Sequence, residues 1–505
     1  MPDNQESPEI IHRIEPDTSV ETAALFNQLV LLLDSGTDEQ LAQHLDGFHH
    51  SDLADAFGLL DRPLRKRLID VVKTELDPDL LFELEDHLRK EVTDSLTARE
   101  VAEVITEMDS DEAVQVLEDM DEGDRAEVLS SVPQEEREDI EVGLAFPEES
   151  AGRRMQTDVV TVGTNWTVGQ TIDYLREESD LPEEFLDLFV VDKDARPVGI
   201  ISLSQILRSP RSTLMREIAD ETQVLVPAVT LQEEVALLFE KYDLTTAGVI
   251  DASGKLLGMI TVDDVMEVAR EEFEEDILLL GGVGEETIGD GVLQSSAKRF
   301  AWLLVNLVTA ALASLVISMF DATIEQMVAL AVLMPIVASM GGNAGTQTLT
   351  ITVRALATKE LTSYNTMRAI RKELLVGVLN GFLFALIAGA ATVFIFGDLG
   401  ETSILLGGII AGAMVINMIV AGLSGVVLPV LLDRWGVDPA VASGVFVTTV
   451  TDVVGFFAFL ALASLAILSV KEAGQLLSLE GSHLGIPICG LRIVHFERLL
   501  SHMKL

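Results

Sequence analysis

One cysteine in 505 residues, Cys489, leaves no disulfide framework to build. From Val92 to Gly481 there is neither cysteine nor histidine. The thiolate and imidazole ligands that suit zinc and copper are therefore missing from most of the chain, and a metal there would meet hard oxygen donors. Base is scarce as well: 34 Lys and Arg stand against 82 Asp and Glu, a formal net charge of −48. Phosphate binding needs basic surface, so no nucleic acid is expected as a partner. The opening MPDNQESPEI has neither the basic nor the apolar region of a signal peptide. No GxxxxGK[ST] phosphate loop occurs, which argues against an ATP-driven pump, and no residue is assigned a catalytic role.

What is present pulls in two directions. With 48 % hydrophobic residues and a mean hydropathy of +0.35, the chain is too apolar for an ordinary soluble protein. Its charge is too large for an ordinary membrane protein. The two facts reconcile once the chain is divided. Before residue 300 lie 70 acids and 24 bases, a net of −46, and after it 12 acids and 10 bases, a net of −2. An acidic soluble half precedes a membrane half. Divalent cations are the natural counter-charge for the first; adaptation to high salt is the other reading of the same composition.

Residues 1–20 are polar and read as a mobile N-terminus. Residues 21–146 show apolar positions at three- and four-residue spacing and form an acidic helical domain. Within it LLDRPLRKRLIDVV from Leu59 echoes EDMDEGDRAEVLSSV from Glu118, pairing Arg65 with Arg125 and Leu68 with Val128, which predicts stacked helical repeats. His44, His49 and His50 are metal-capable, but the surface face of a helical domain is the reading preferred for them. Across residues 147–266 a clearer repeat appears: FVVDKDARPVGIISLSQIL from Phe189 aligns with GVIDASGKLLGMITVDDVM from Gly248 at a spacing of 59. Each copy reads as strand, tight turn, strand and helix start, preceded by a helix near Thr171–Glu178 or Gln232–Tyr242. Residues 267–299 hold a very acidic helix, EVAREEFEEDILLL from Glu267, and a Gly-rich break at Gly281–Gly284.

Residues 300–470 contain five apolar spans, read as Phe300–Phe320, Met327–Val353, Leu374–Phe396, Ile404–Leu432 and Val441–Val470. Each is long enough to cross about 30 Å of hydrocarbon. Lys298 and Arg299 precede the first span; Arg354, Lys359, Arg368, Arg371 and Lys372 separate the second from the third; Arg434 separates the fourth from the fifth. The remaining loops carry only acids. The positive-inside rule then places the acidic half in the cytoplasm and the end of the fifth span outside an inner or plasma membrane. Residues 471–505 end in a basic, His-containing tail of a different style, which reads as disordered or not native and to which no function is assigned.

Two stretches carry chemistry. FVTTVTDVVGFFAFLALAS from Phe446 is apolar enough for the bilayer yet holds Asp452, and a carboxylate at that depth usually faces an ion path. A protonated or hydrogen-bonded Asp is the plainer alternative. In the second span, PIVASMGGNAGTQTLTITVRALA from Pro335 predicts a broken helix: Pro335 weakens it, and Gly341, Gly342 and Gly345 permit unwinding. Asn343, Thr346 and Gln347 then offer oxygens to a hydrated ion. Small-residue helix packing is the alternative, and it suits GVLNG at Gly377 and GIIAG at Gly408.

GGNAGTQ with RALA, together with DPAVASGVFVTTVTDVVG from Asp438, resembles the MgtE magnesium channels, as does the order of segments over roughly residues 20–470. SDLADAF at Ser51 and EESAGRRM at Glu148 are similar to family segments, though Arg153 stands where the family usually has a second glycine. The repeat from 147 to 266 resembles a tandem CBS pair. The fold class that follows is a multi-domain membrane protein: a helical cytosolic N-domain, an α/β tandem CBS pair, an acidic connecting helix and a five-helix transmembrane domain. The resemblance implies a homodimer in the lipid bilayer, with Asp452 as the carboxylate facing a hydrated Mg²⁺. It also implies closure by cytosolic Mg²⁺ at Asp264, Glu272, Glu275, Asp276, Glu233, Asp243, Asp438 and, as a weaker match, Asp111. Leu231 and Gln115 stand where further acids are expected. Mg²⁺ is thus both substrate and regulator. CBS pairs also bind adenine nucleotides, and Thr261 with Asp264 admits one here. The rival readings are a coupled carrier for Mg²⁺, Co²⁺ or Mn²⁺, and a membrane-anchored cation or nucleotide sensor without transport.

Overall fold

The computed structural model describes residues 18–483 apart from 46–47, 74–75, 179–180, 183–184, 221–223, 285 and 287–290. The tail beyond 483, Cys489 included, and the first 17 residues lie outside the described residues. Two compact units divide between Glu271 and Glu272.

Among the described residues the first unit opens with ten helices, α1 (Thr18–Ser35) to α10 (Gln134–Leu144). The echo between Arg65 and Arg125 has a structural meaning. Arg65 donates to the carbonyl of Leu60 at 2.7 Å, and Arg125 donates to Met120 at 3.1 Å and Glu118 at 3.1 Å. Each arginine, on the first turns of its helix, reaches back to carbonyls that the preceding helix leaves open. Arg89 is a third copy: it donates to Leu84 at 3.0 Å and Phe82 at 2.9 Å. Asp61, Glu85 and Asp121 stand at the helix starts four residues before these arginines, and Leu68, Val92 and Val128 are buried three residues after them. The histidines have local explanations. His49 Nδ1 accepts the backbone N–H of Ser51, His50 lies 3.4 Å from Asp79, and His44 packs edge-on to Phe48.

The tandem repeat follows as two three-stranded sheets. In the first, β1 (Thr161–Gly163) runs parallel to β2 (Asp187–Val191), which is antiparallel to β3 (Pro197–Ser202). In the second, β4 (Leu225–Pro227), β5 (Thr246–Ile250) and β6 (Leu256–Thr261) repeat the pattern. The spacing of 59 holds down to the register, Asp187↔Ser202 matching Thr246↔Thr261, and the register shifts after Val190 and Val249. The helices α11 (Val168–Glu177) and α14 (Gln232–Tyr242) stand where the pattern put them. The copies face each other, with Asp187 accepting from Thr246 at 3.0 Å and Phe189 filling the space left by Gly248. Arg153, the departure from the family pattern, is 6 % exposed and lies 3.5 Å from Glu118. The following helix, α15 (Val262–Leu280), crosses the boundary between units.

Among its described residues the second unit holds five helices long and apolar enough to cross a membrane. These are α16 (Val292–Ser318), α18 (Ala329–Ala357), α19 (Thr366–Ile395), α20 (Glu401–Arg434) and α21 (Pro439–His483), with the short α17 (Asp321–Gln326) after the first. The expected break in the second span is absent. α18 is continuous with Pro335 inside it, and its glycines are points of close approach. A Cβ on Gly341 would stand 2.1 Å from the Asn417 amide of α20, and one on Gly345 would stand 2.5 Å from Val447 of α21. Packing, not unwinding, is what they permit. GVLNG behaves as read: Gly377 and Gly381 sit against the α20 backbone at Met418 and Val415. GIIAG does so only in part. Gly408 faces open space, while a Cβ on Gly412 would stand 3.2 Å from Leu462 of α21.

Candidate ion pathway and acidic clusters

Asp452 lies on α21, partly exposed, and makes no hydrogen bond or ion pair among the described residues. One turn earlier, Thr448 donates to the carbonyls of Gly444 and Val445, both at 3.0 Å, and its methyl group stands beside Gly342 of α18. On α18 itself Asn343, Thr346, Gln347 and Thr350 share one exposed face. Thr346 and Thr350 bond back to the carbonyls of Gly342 and Thr346, each at 3.0 Å, while Asn343 and Gln347 find no partner among the described residues. Polar side chains at bilayer depth face protein or water, not hydrocarbon. The face of α18 carrying Asn343 and Gln347 and the adjoining face of α21 carrying Asp452 therefore suit a hydrated cation. Pro335 lies two turns before Asn343 on the same helix, and Gly341 and Gly345 are buried in helix contacts away from this face.

Two polar residues of this region escaped the sequence reading. Asn417 is fully buried; its Nδ2 donates to the Val337 carbonyl at 2.8 Å and its Oδ1 has no partner among the described residues. Gly341 and Gly455 make room for it. Glu373 is 8 % exposed and accepts from Thr348 of α18 at 3.1 Å, with Lys372 at 3.4 Å. It was passed over because the third span was read from Leu374, whereas α19 starts at Thr366 and carries Glu373 into the bundle.

The acids expected to bind regulatory cations separate into groups. Near the end of α15, Asp276 and Glu272 stand one turn apart beside Asp438, which opens α21 by accepting the Ala440 N–H at 2.8 Å. Burial, then the charges of Asp438 and Glu272, push the Asp276 carboxyl up to about 6. One turn further, Leu279 and Leu280 pack against Val353, Ala440 and Val447. Glu275 is exposed beside Asp276.

A second group lies in the first unit. Asp111 is 3 % exposed, and burial followed by the charge of Asp264 holds its carboxyl well above the usual range. Burial likewise raises Asp264, which accepts from Thr261 at 2.5 Å as a cap of α15. Burial and the charges of Asp109 and Asp79 push Glu112 up to about 7. Glu233 and Asp243 stay apart, at opposite ends of α14 and about 15 Å from each other by helix rise. Asp243 caps that helix in the left-handed conformation, φ 52°.

Among the described residues no three Asp, Glu, His or Cys side chains converge on one ion position. Two carboxylates with retained water is the arrangement Mg²⁺ tolerates best, because it dehydrates reluctantly. The pairs Asp276–Asp438 and Asp111–Asp264 fit that requirement in donor type.

A pH dependence follows from Glu112. The unfolded side chain loses its proton near 4.5 and the folded one near 7, so without divalent cations stability present at low pH is lost as pH rises across that window. At about 1.4 kcal/mol per unit, discounted for partial exposure, we expect a loss of order 1–2 kcal/mol. The unfolding midpoint of the cytosolic half, measured on the full chain in EDTA, should fall by a few degrees between pH 5 and pH 8. Glu112→Gln should make the fall shallower without abolishing it, since burial also raises Asp119 to about 6, and a wild-type midpoint that rises over this range would contradict the assignment.

Three family profiles match in chain order: the MgtE intracellular N domain at 48–149, the CBS domain at 151–212 and 216–271, and MgtE, described as a divalent cation transporter, at 334–462. A magnesium transporter MgtE of Enterococcus faecalis is 33 % identical over 327 residues, covering 65 % of this chain and 71 % of that protein. A magnesium transporter MgtE of Bacillus subtilis is 27 % identical over 441 residues, covering 87 % of this chain and 97 % of that one. A crystal structure of the cytosolic domain of the Mg²⁺ channel MgtE in complex with ATP is 26 % identical, spans 48 % of this chain and 99 % of its own, and superposes with a TM-score of 0.45. With its three matched domains in order and 33 % identity over 71 % of the Enterococcus protein, this chain belongs to the MgtE family.

Proposed function

We propose that the chain carries Mg²⁺ across the membrane along a path lined by α18 and α21, and that its acidic cytosolic half closes that path when Mg²⁺ is plentiful. The observation that carries the first part is Asp452: a carboxylate in an apolar helix, without an ion pair among the described residues, beside an exposed polar face. Carboxylates select cations in other pores, and Asp452 with Asn343 and Gln347 touches the water shell of the ion without stripping it. One chain leaves the polar face of α18 open on one side. A second copy supplies the missing wall, so the working unit is a homodimer with two copies of Asp452 facing the ion.

Gating rests on Asp276, Glu272 and Asp438. Unneutralised, they repel one another and loosen the last turns of α15 from α18 and α21. Neutralised by Mg²⁺, they let Leu279 and Leu280 stay against Val353 and Val447, which is the closed arrangement. Glu275 adds to the repulsion on the same helix, and Asp111 with Asp264 forms a second sensing pair. Glu233 and Asp243 are retained only as surface sites that act separately. An adenine nucleotide at the CBS pair is the least supported part, since Thr261 and Asp264 are engaged with each other.

The distribution of loop charge supports a topology with the first unit and the 358–365 loop in the cytoplasm and Asp398 outside. After Cys489→Ser, cysteines placed at Asn365 and Asp398 should label from opposite sides of the membrane; labelling from one side would overturn this topology. Transport itself is tested by Mg²⁺ flux into liposomes. Flux that follows voltage with no coupled ion is expected, whereas an obligatory counter-ion would turn the reading to a carrier, and no flux at all to a sensor.

A further inference from the structure

A groove in the membrane half is left unused by the ion pathway. It lies between the start of α19 and the end of α20, encloses about 250 Å³, and is lined chiefly by Met367, Ile370, Val427 and Leu431, with Ser363 and Arg434 at its polar end. Arg434 is exposed and makes no ion pair among the described residues, and the same holds for Arg368 and Arg371 on the first turns of α19. Beside these groups Tyr364 is 99 % exposed and Trp435 69 % exposed. Tyr and Trp favour the headgroup level of a bilayer, so the polar end of the groove lies at the interface and its apolar end in hydrocarbon.

Charge decides which lipid fits. The chain as a whole repels anions with its net charge of −48, yet Arg368, Arg371, Lys372 and Arg434 gather here against Asp433 and the engaged Glu373. A guanidinium matches a phosphate in a two-pronged hydrogen bond, and basic residues near the surface attract anionic headgroups. We propose that this groove binds one anionic phospholipid, with its phosphate held by Arg434 and an acyl chain lying against Ile370, Val427 and Leu431. The inference rests on the chain spanning a membrane and not on what it transports or in which direction.

The test uses the full chain in detergent, titrated with phosphatidylglycerol or phosphatidylcholine and read by native mass spectrometry. Wild type should retain phosphatidylglycerol about five-fold or more over phosphatidylcholine, and Arg434→Gln should erase that preference. Val427→Trp, which fills the groove, should lower retention of the tightly held lipid without touching Arg434; if Arg434→Gln fails to fold, this variant decides. Millimolar inorganic phosphate should not displace the lipid. Equal retention of the two lipids by wild type, or of phosphatidylglycerol by wild type and Val427→Trp, overturns the proposal. So does displacement by free phosphate, or a change in oligomeric state on Val427→Trp with no lipid preference, which would mean that a second copy covers the groove.

Discussion

Asp452→Asn is expected to lower Mg²⁺ flux by about 100-fold or more while leaving the protein folded. The change is isosteric, and Asp452 makes no hydrogen bond or ion pair among the described residues whose loss would destabilise the bundle. What disappears is the charge presented to a hydrated dication. A hydrogen bond to a charged partner contributes about 1.5–3 kcal/mol, and the homodimer proposed above would bring two copies to bear, which sets the scale of the loss. Asp452→Glu keeps the charge and should retain part of the flux. Glu373→Gln is the matched control, since its Thr348 partner can still donate to an amide oxygen, and it should cost far less. Flux measured on protein of normal elution volume reads the result; undiminished flux in Asp452→Asn removes this residue from the path.

The second large effect concerns closure. Glu272→Gln, Glu275→Gln and Asp276→Asn together should give a channel that stays open at internal Mg²⁺ that closes the wild type, with the half-closing concentration raised ten-fold or more. Asp276 shows why: burial and the neighbouring Asp438 and Glu272 already make its charge unfavourable, so a dication between them gains what the bare carboxylates lose. A ligand shifts a gating equilibrium only by its differential affinity for the two states, and acids on two different helices supply such a difference. Ten-fold corresponds to about 1.4 kcal/mol, a modest demand on three charges. The variant should also lose Mg²⁺ protection against cleavage at Gly281–Gly284. Closure at the wild-type concentration would show that α15 is not the sensor.

The parts of the fold that repeat were legible because repetition needs no knowledge of partners. The strand pairs β2–β3 and β5–β6 follow from alternation and turn residues, and they recur at the spacing of 59. β1 and β4 were missed because three residues in a parallel edge strand are too short for a period. Arg89 is hidden as a third copy by its unequal distances from Arg65 and Arg125, although the acid four residues before it and the valine three after it repeat the pattern.

In the membrane half the same residues admitted two physical meanings. Glycine serves unusual backbone angles or close approach, and only the partner tells which. Pro335, Gly341 and Gly345 read as a break, whereas Asn417 and Val447, distant in sequence, make the glycines contact points in a continuous helix. Asp452 was legible because an acid inside an apolar run stands out. Glu373 was not, because it lies where the run begins.

The most direct measurement of the central claim is Mg²⁺ influx into proteoliposomes of fixed membrane potential, with Mg²⁺ on the side of the acidic half varied from micromolar to tens of millimolar. A Mg²⁺-conducting chain closed by its own acidic clusters predicts fast influx at the low end and a fall of at least ten-fold at the high end, steeper than loss of driving force explains. Influx that tracks the driving force alone across the whole range would contradict it.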